Sequence, residues 1–255
     1  MKKHLFLLLC LYTSLHTYGQ KAYKLQSPDG NIQVSISLSD KIYYDVTYQQ
    51  DTLLKQCNLQ MELSNQELGN APKLAGVNKK SVDESLKPVI PLKYSTVANK
   101  YNQLLMKFKG DYSVEFRAFN DGIAYRFITN KKGMIEVNNE TFQVNFPENY
   151  LLHVQHPGGF KTAYEEEYKH IESKDWKSSD KMALLPILID THKDYKILIS
   201  ESDLADYPAL FLKSNGNNGM FSVFPKVPLE FGDDGDRSLK ILKEANYIAK
   251  TNGKR

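Results

Sequence analysis

Three clusters of side chains in this 255-residue sequence could do chemistry. The first is Glu165-Glu166-Glu167, bracketed by Tyr164 and Tyr168. It follows Pro157-Gly158-Gly159, residue types that interrupt regular elements, so it begins on a loop or short helix at a sheet edge. Carboxylate oxygens are what a hard cation such as calcium takes, about six to eight at a time. A carboxylate held beside aromatic rings is also a common way to build a sugar site. From spacing alone, a solvated acidic turn is the simpler reading.

The second cluster is His153 and His156, flanking Val154-Gln155 at the end of a strand-like run. Residues three apart in an extended segment point to opposite faces, which makes them a poor metal pair. The third is Asp233-Asp234-Gly235-Asp236. Its aspartates do not follow the alternate-residue spacing of a calcium loop, and it reads as a turn. There is no Gly-rich phosphate loop, no metal-spaced Cys/His set, no G-x-S-x-G elbow and no HExxH.

The N-terminus narrows the setting. Met1 to His4 is short and positive, Leu5 to Leu15 is apolar but too short to span a bilayer, and Thr17 and Gly19 suit signal peptidase. Residues 1–19 therefore read as a signal peptide. The expectation is an exported protein, periplasmic or extracellular, with no membrane contact after cleavage. Cys10 would leave with the signal, and Leu7 to Leu9 lack the small residues of a lipobox. The remaining Cys57 lies between apolar positions and reads as a core thiol rather than a nucleophile. Of 33 Lys and Arg, cleavage removes Lys2 and Lys3, leaving a formal +1 against 30 Asp and Glu. Such a balanced chain has no electrostatic footprint for nucleic acid.

The elements that must position these clusters are strands. Ile32, Val34, Ile36 and Leu38 alternate with polar residues, as do Tyr44, Val46 and Tyr48. Met106, Phe108, Tyr112, Val114, Phe116 and Ala118 form the clearest run, with Gly110-Asp111 as its hairpin turn. Asn120-Asp121-Gly122 turns into a returning strand of Ile123, Tyr125, Phe127 and Thr129, and Lys131-Lys132-Gly133 is expected to turn again. Phe142, Val144 and Phe146 close the meander. Ala183 to Ile189 and Ile197 to Ser200 read as deeper strands, Glu165 to Glu172 as the one possible short helix, and Ala245 to Ala249 as a last strand. Ser202-Asp203 starts a capped turn leading to Tyr207-Pro208. Half-buried strands at short spacing, with sixteen Tyr and twelve Phe, argue for an all-β antiparallel sandwich. With no repeat or linker, residues 20–255 read as one domain.

Four segments then carry a resemblance. They are Leu25-Gln26-Ser27-Pro28-Asp29-Gly30-Asn31-Ile32, Phe116-Arg117-Ala118-Phe119-Asn120-Asp121-Gly122-Ile123-Ala124-Tyr125-Arg126-Phe127, Tyr164-Glu165-x-x-Tyr168, and Glu201-Ser202-Asp203-Leu204 through Tyr207-Pro208. In that order they resemble the N-terminal domain of glycoside hydrolase family 97, exported α-glucosidases and α-galactosidases of Bacteroides-type bacteria. The resemblance covers essentially the whole chain after the signal. It implies a β-super-sandwich of the galactose-mutarotase type that packs on a (β/α)₈ barrel of the same polypeptide family. The barrel holds the catalytic carboxylates, so none is expected among residues 20–255. The domain lends the sugar pocket a calcium-ligating glutamate, which by motif position is Glu165, ahead of Glu166 and Glu167. One carboxylate leaves most of a calcium shell unsupplied, so little calcium affinity is expected of this chain alone.

Two further functions stay open on the sequence. A free-standing carbohydrate-binding module would need Trp176, Tyr164 and Tyr168 as an exposed platform. An aldose-epimerase-like enzyme would need His153 or His156 with Glu165 as acid and base.

Overall fold

A computed structural model describes residues 22–202, 204–235 and 238–254. The expected signal peptide, 1–19, lies outside them, as does Asp203 of the expected capped turn. Every regular element among the described residues is a strand, and every strand pairing is antiparallel.

The first meander comprises β1 (Tyr23–Gln26), β2 (Ile32–Leu38), β3 (Ile42–Tyr48) and β4 (Asp51–Leu63), with the short β5 (Gln66–Leu68) folding back on β4. The second comprises β6 (Leu74–Leu86), β7 (Val97–Phe108), β8 (Tyr112–Phe119) and β9 (Gly122–Asn145). The two join through β9 in the order β1-β2-β3-β4-β9-β8-β7-β6. That sheet curls over until β1 and β2 pack across β7 and β8. The alternation dictates what lies between the layers. Val34, Ile36 and Tyr44 from one meander meet Leu104, Met106, Val114 and Phe116 from the other, all of them buried. The ring centroids of Tyr44 and Phe116 lie 6.1 Å apart across the gap.

The strand β9 does not turn at Lys131-Lys132-Gly133, as its composition suggested; it bends and continues. Gly122 to Thr129 pair with β8, and Val137 to Gln143 pair with β4. Gly133, at φ 73°, supplies the left-handed residue at the bend. The C-terminal strand is also displaced from its expected place at Ala245 to Ala249. It is β18 (Ala249–Lys254), which pairs with Asn130 to Val137 of β9. Buried Ala249, Thr251 and Gly253 alternate there with exposed residues. A Cβ on Gly253 would come within 2.8 Å of the Lys131 carbonyl oxygen, so the bend demands glycine at that point.

The other turns divide. Gly110 and Asp111 both have positive φ, as a hairpin of that composition requires. Asn120-Asp121 closes its hairpin without positive φ; Asn120 Oδ1 instead accepts the Asp29 N–H at 3.0 Å, tying the β8–β9 turn to the β1–β2 turn.

A second sheet, of four strands, is built from β10 (Leu151–Val154), β11 (Lys169–Glu172), β12 (Ile187–Asp190) and β13 (Lys196–Ile199), in the order β11-β10-β12-β13. The expected helix over Glu165 to Glu172 is absent. Its second half pairs with β10 instead, because Ile171 then packs on the core beside Leu152. The expected strand from Ala183 is interrupted as well. Ala183 bridges Leu212, Pro186 has no N–H to give a ladder, and regular pairing begins at Ile187. The hairpin β14 (Phe211–Ser214) and β15 (Gly219–Val223) extends the large sheet along β9. A separate ribbon, β16 (Pro228–Asp233) and β17 (Leu239–Glu244), lies almost wholly exposed.

Candidate functional site

The loop from Gln155 to Tyr168 joins β10 to β11 and carries the acidic cluster. Glu165, Glu166 and Glu167 are all exposed, as the solvated-turn reading requires. Nearby aromatics nevertheless fix the loop. Phe160 and Tyr164 stand edge-on to Phe211 at 5.0 and 5.8 Å, and the amide of Gln155 donates to the Glu166 carbonyl. Lys161 Nζ lies 3.9 Å from Asp234 Oδ2, which sets the loop beside the turn of the β16–β17 ribbon. That turn is formed by Asp233-Asp234-Gly235 of the third cluster, whose Asp236 lies outside the described residues: Asp233 Oδ1 accepts the Gly235 N–H, and the Asp234 N–H donates to the Ser238 carbonyl.

The described residues contain no group of three or more His, Cys, Asp and Glu able to hold a metal ion. The donor chemistry of the loop still fits calcium in kind, because a carboxylate on an open loop is a hard oxygen ligand.

The histidines sort differently from their sequence spacing. His153 and His156 do not converge: the His156 ring nitrogen Nδ1 lies 2.9 Å from the Met182 carbonyl oxygen, beside Trp176. His153 instead faces His170, its partner across β10 and β11, with Nδ1 to Nδ1 at 2.6 Å. Sequence reasoning missed His170, since only strand pairing across the intervening loop brings it there.

Trp176 is 2% exposed and belongs to the core, so the aromatic platform of Trp176, Tyr164 and Tyr168 does not exist. Only the two tyrosines remain at the surface. A surface hollow lined by Lys55, Gln56, Gln143, Asn145, Asn215 and Asn217 carries neither carboxylate nor imidazole. Cys57 is buried, as expected, and burial pushes its thiol up to about 12, which leaves it inert.

The resemblance segments act mostly as braces. Buried Glu115 is clamped by Arg117 Nε at 2.8 Å and Arg126 Nη2 at 3.3 Å, and Arg117 lies over the Tyr101 ring. Glu201 accepts the Leu210 N–H with both oxygens at 3.0 Å. Burial raises its carboxyl, the Leu210 N–H pulls it back, and the charge of Glu140 raises it further.

Glu140 is half-buried and held at both oxygens: Tyr125 donates to Oε1 at 2.9 Å and Tyr207 to Oε2 at 2.8 Å. Burial raises its carboxyl above the ordinary 4.5, and the two tyrosine hydroxyls pull it back down. A carboxyl raised on folding binds its proton more tightly folded than unfolded, so its ionisation costs stability as pH climbs from 4.5 through the raised value. Glu140→Gln cannot ionise and keeps hydrogen-bonding atoms for both hydroxyls. In urea unfolding, its stability relative to the parent chain should therefore improve between pH 4.5 and 7.5. A difference constant across that range would contradict the assignment.

This curled antiparallel sandwich, with an acidic loop at one edge, has clear relatives. The family model described as Glycosyl-hydrolase 97 N-terminal matches residues 25–241, and the chain belongs to that family. A retaining alpha-galactosidase of Bacteroides thetaiotaomicron is 35% identical over 262 residues, a match that takes in 98% of this chain and 39% of that protein. A glycoside hydrolase family 97 enzyme of Pseudoalteromonas sp. strain K8, solved with acarbose, superposes with a TM-score of 0.68 at 21% identity. That superposition covers 79% of this chain and 32% of the enzyme. A beta-arabinopyranosidase superposes with a TM-score of 0.72 at 21% identity, over 90% of this chain and 39% of its own. The chain thus spans well under half the length of these relatives.

Proposed function

We propose that this chain works as the accessory N-terminal domain of an exported α-glycosidase. In this reading it packs on the catalytic (β/α)₈ barrel, completes the sugar pocket and presents Glu165 to a calcium ion that the barrel otherwise coordinates. The observation that carries the reading is the family match over residues 25–241, joined to a relative of which the chain spans 39%. The name of that relative favours an α-galactoside as the substrate of the assembled enzyme, with an α-glucoside as the other outcome. The signal-like pattern of residues 1–19 supports a periplasmic or extracellular setting.

The surface is consistent with such docking. The β16–β17 ribbon exposes Leu229, Phe231, Leu239 and Leu242, and the tip between β6 and β7 exposes Val89 and Leu92. Large apolar side chains exposed in groups on one element mark surfaces that a partner covers. Because Lys161 meets Asp234, the Glu165 loop and the ribbon share one side, so a barrel seated on the ribbon would also reach the loop. Calcium, when bound, would hold the loop against the barrel and supply positive charge to substrate oxygens. The chain's own contribution is to position one carboxylate, through the packing of Phe160 and Tyr164 on Phe211.

The free chain should bind calcium poorly, because a single carboxylate leaves most of the shell to water. Isothermal titration is expected to give no micromolar site, and finding one would overturn the shared-shell reading. With the domain joined to a family barrel, Glu165→Gln should weaken calcium binding at least tenfold, whereas Glu166→Gln and Glu167→Gln should not. Free maltose and melibiose should bind the isolated chain negligibly; a carbohydrate-binding module would bind one of them.

A further inference from the structure

The strands β10 and β11 form the stem from which the acidic loop projects, and His153 and His170 face each other across that stem. Their rings meet edge to face with centroids 4.7 Å apart and Nδ1 atoms 2.6 Å apart. Two neutral imidazoles can make such a contact only if one carries its proton on Nδ1 and the other on Nε2. If both rings took the Nε2–H form, two lone pairs would point into one gap, and the pair would need a cation between them. Zinc and nickel are borderline-soft divalent ions that take imidazole nitrogen at about 2.0–2.1 Å. Two such bonds at the tetrahedral angle of zinc set the nitrogens about 3.3 Å apart, roughly 0.7 Å beyond their present contact, which rotation about χ1 and χ2 of the two rings supplies.

We propose that His153 and His170 form a two-histidine site for a borderline divalent transition ion, with water completing the shell. His170 is exposed, so an ion can reach the pair from solvent. Hard calcium is not its ligand, and the site therefore does not depend on the reading of Glu165. Glu172, two residues along β11, stays with Asn149 and His192 and does not compete for the ion. A bound ion would cross-link the two strands at the base of the loop, and so stabilise the stem. Shifting both rings to the Nε2–H tautomer releases no net proton, but a protonated imidazole cannot ligate. Ligation needs a free nitrogen lone pair on each ring, so affinity falls in acid.

The test is isothermal titration of the untagged chain with zinc chloride and, separately, with calcium chloride, at pH 7.5 and 5.5. One zinc site per chain is expected at pH 7.5, weakened at least tenfold at pH 5.5 and not occupied by calcium. His170→Asn and His153→Asn should each weaken zinc binding at least tenfold, while His156→Asn, whose ring lies at the Met182 carbonyl, should leave it unchanged. Circular dichroism of each variant guards against a loss of fold. Zinc binding that survives both substitutions, or no zinc binding by a folded parent chain, would overturn the proposal.

Discussion

Phe116→Ala should lower the unfolding free energy by about 3–5 kcal/mol, the range for truncating a buried phenylalanine. Phe116 is 1% exposed and fills the gap between the two meanders, with Tyr44 and Tyr125 at 6.1 and 6.3 Å. Its strand cannot move in to close the cavity. Each side of β8 is held in register, with Leu104 of β7 opposite Phe116 on one side and Tyr125 of β9 on the other. Trp176 is the only tryptophan in the chain, so urea unfolding can be followed by its fluorescence. A change below about 1 kcal/mol would mean that the layers do not meet at Phe116, since even a favourably relaxed large-to-small core change costs more.

Trp176→Ala should cost a similar amount, about 3–5 kcal/mol, without altering any affinity for sugar. The ring is enclosed beside His156, 5.8 Å away, and Ser214 Oγ donates to the Trp176 carbonyl. The indole Nε1 is buried and finds no hydrogen-bond partner among the described residues. An unpaired buried donor costs about 1–3 kcal/mol, so Trp176→Phe, which removes it while keeping a ring, should lose much less than the alanine variant. Circular dichroism in urea distinguishes the two. A Trp176→Ala protein of unchanged stability but diminished sugar binding would revive the aromatic platform that burial of this residue rules out.

The period-two pattern made the two meanders legible, because alternate burial leaves its mark residue by residue. Val34, Ile36, Val114 and Phe116 all lie where their spacing put them. Features set by partners far along the chain left no such mark. Lys131-Lys132-Gly133 has the composition of a turn, but pairing with β18 on both sides of it carries β9 through as a bend. Residues 165–172 contain good helix formers, yet Ile171 gains more by joining the core from β11. The acids behave the same way. Glu165 was visible as part of a run, while Glu140 and Glu115 acquire their partners only when strands align. His170 likewise means nothing beside Lys169 and Ile171 until β10 brings His153 opposite.

In the proposed function this domain serves a catalytic module and does not itself cleave glycosides. The direct measurement is hydrolysis of 4-nitrophenyl α-galactoside and α-glucoside by the purified chain, with calcium present. No nitrophenol release above the enzyme-free blank is expected. Turnover of either substrate that co-purifies with the chain and disappears on unfolding it would contradict the account.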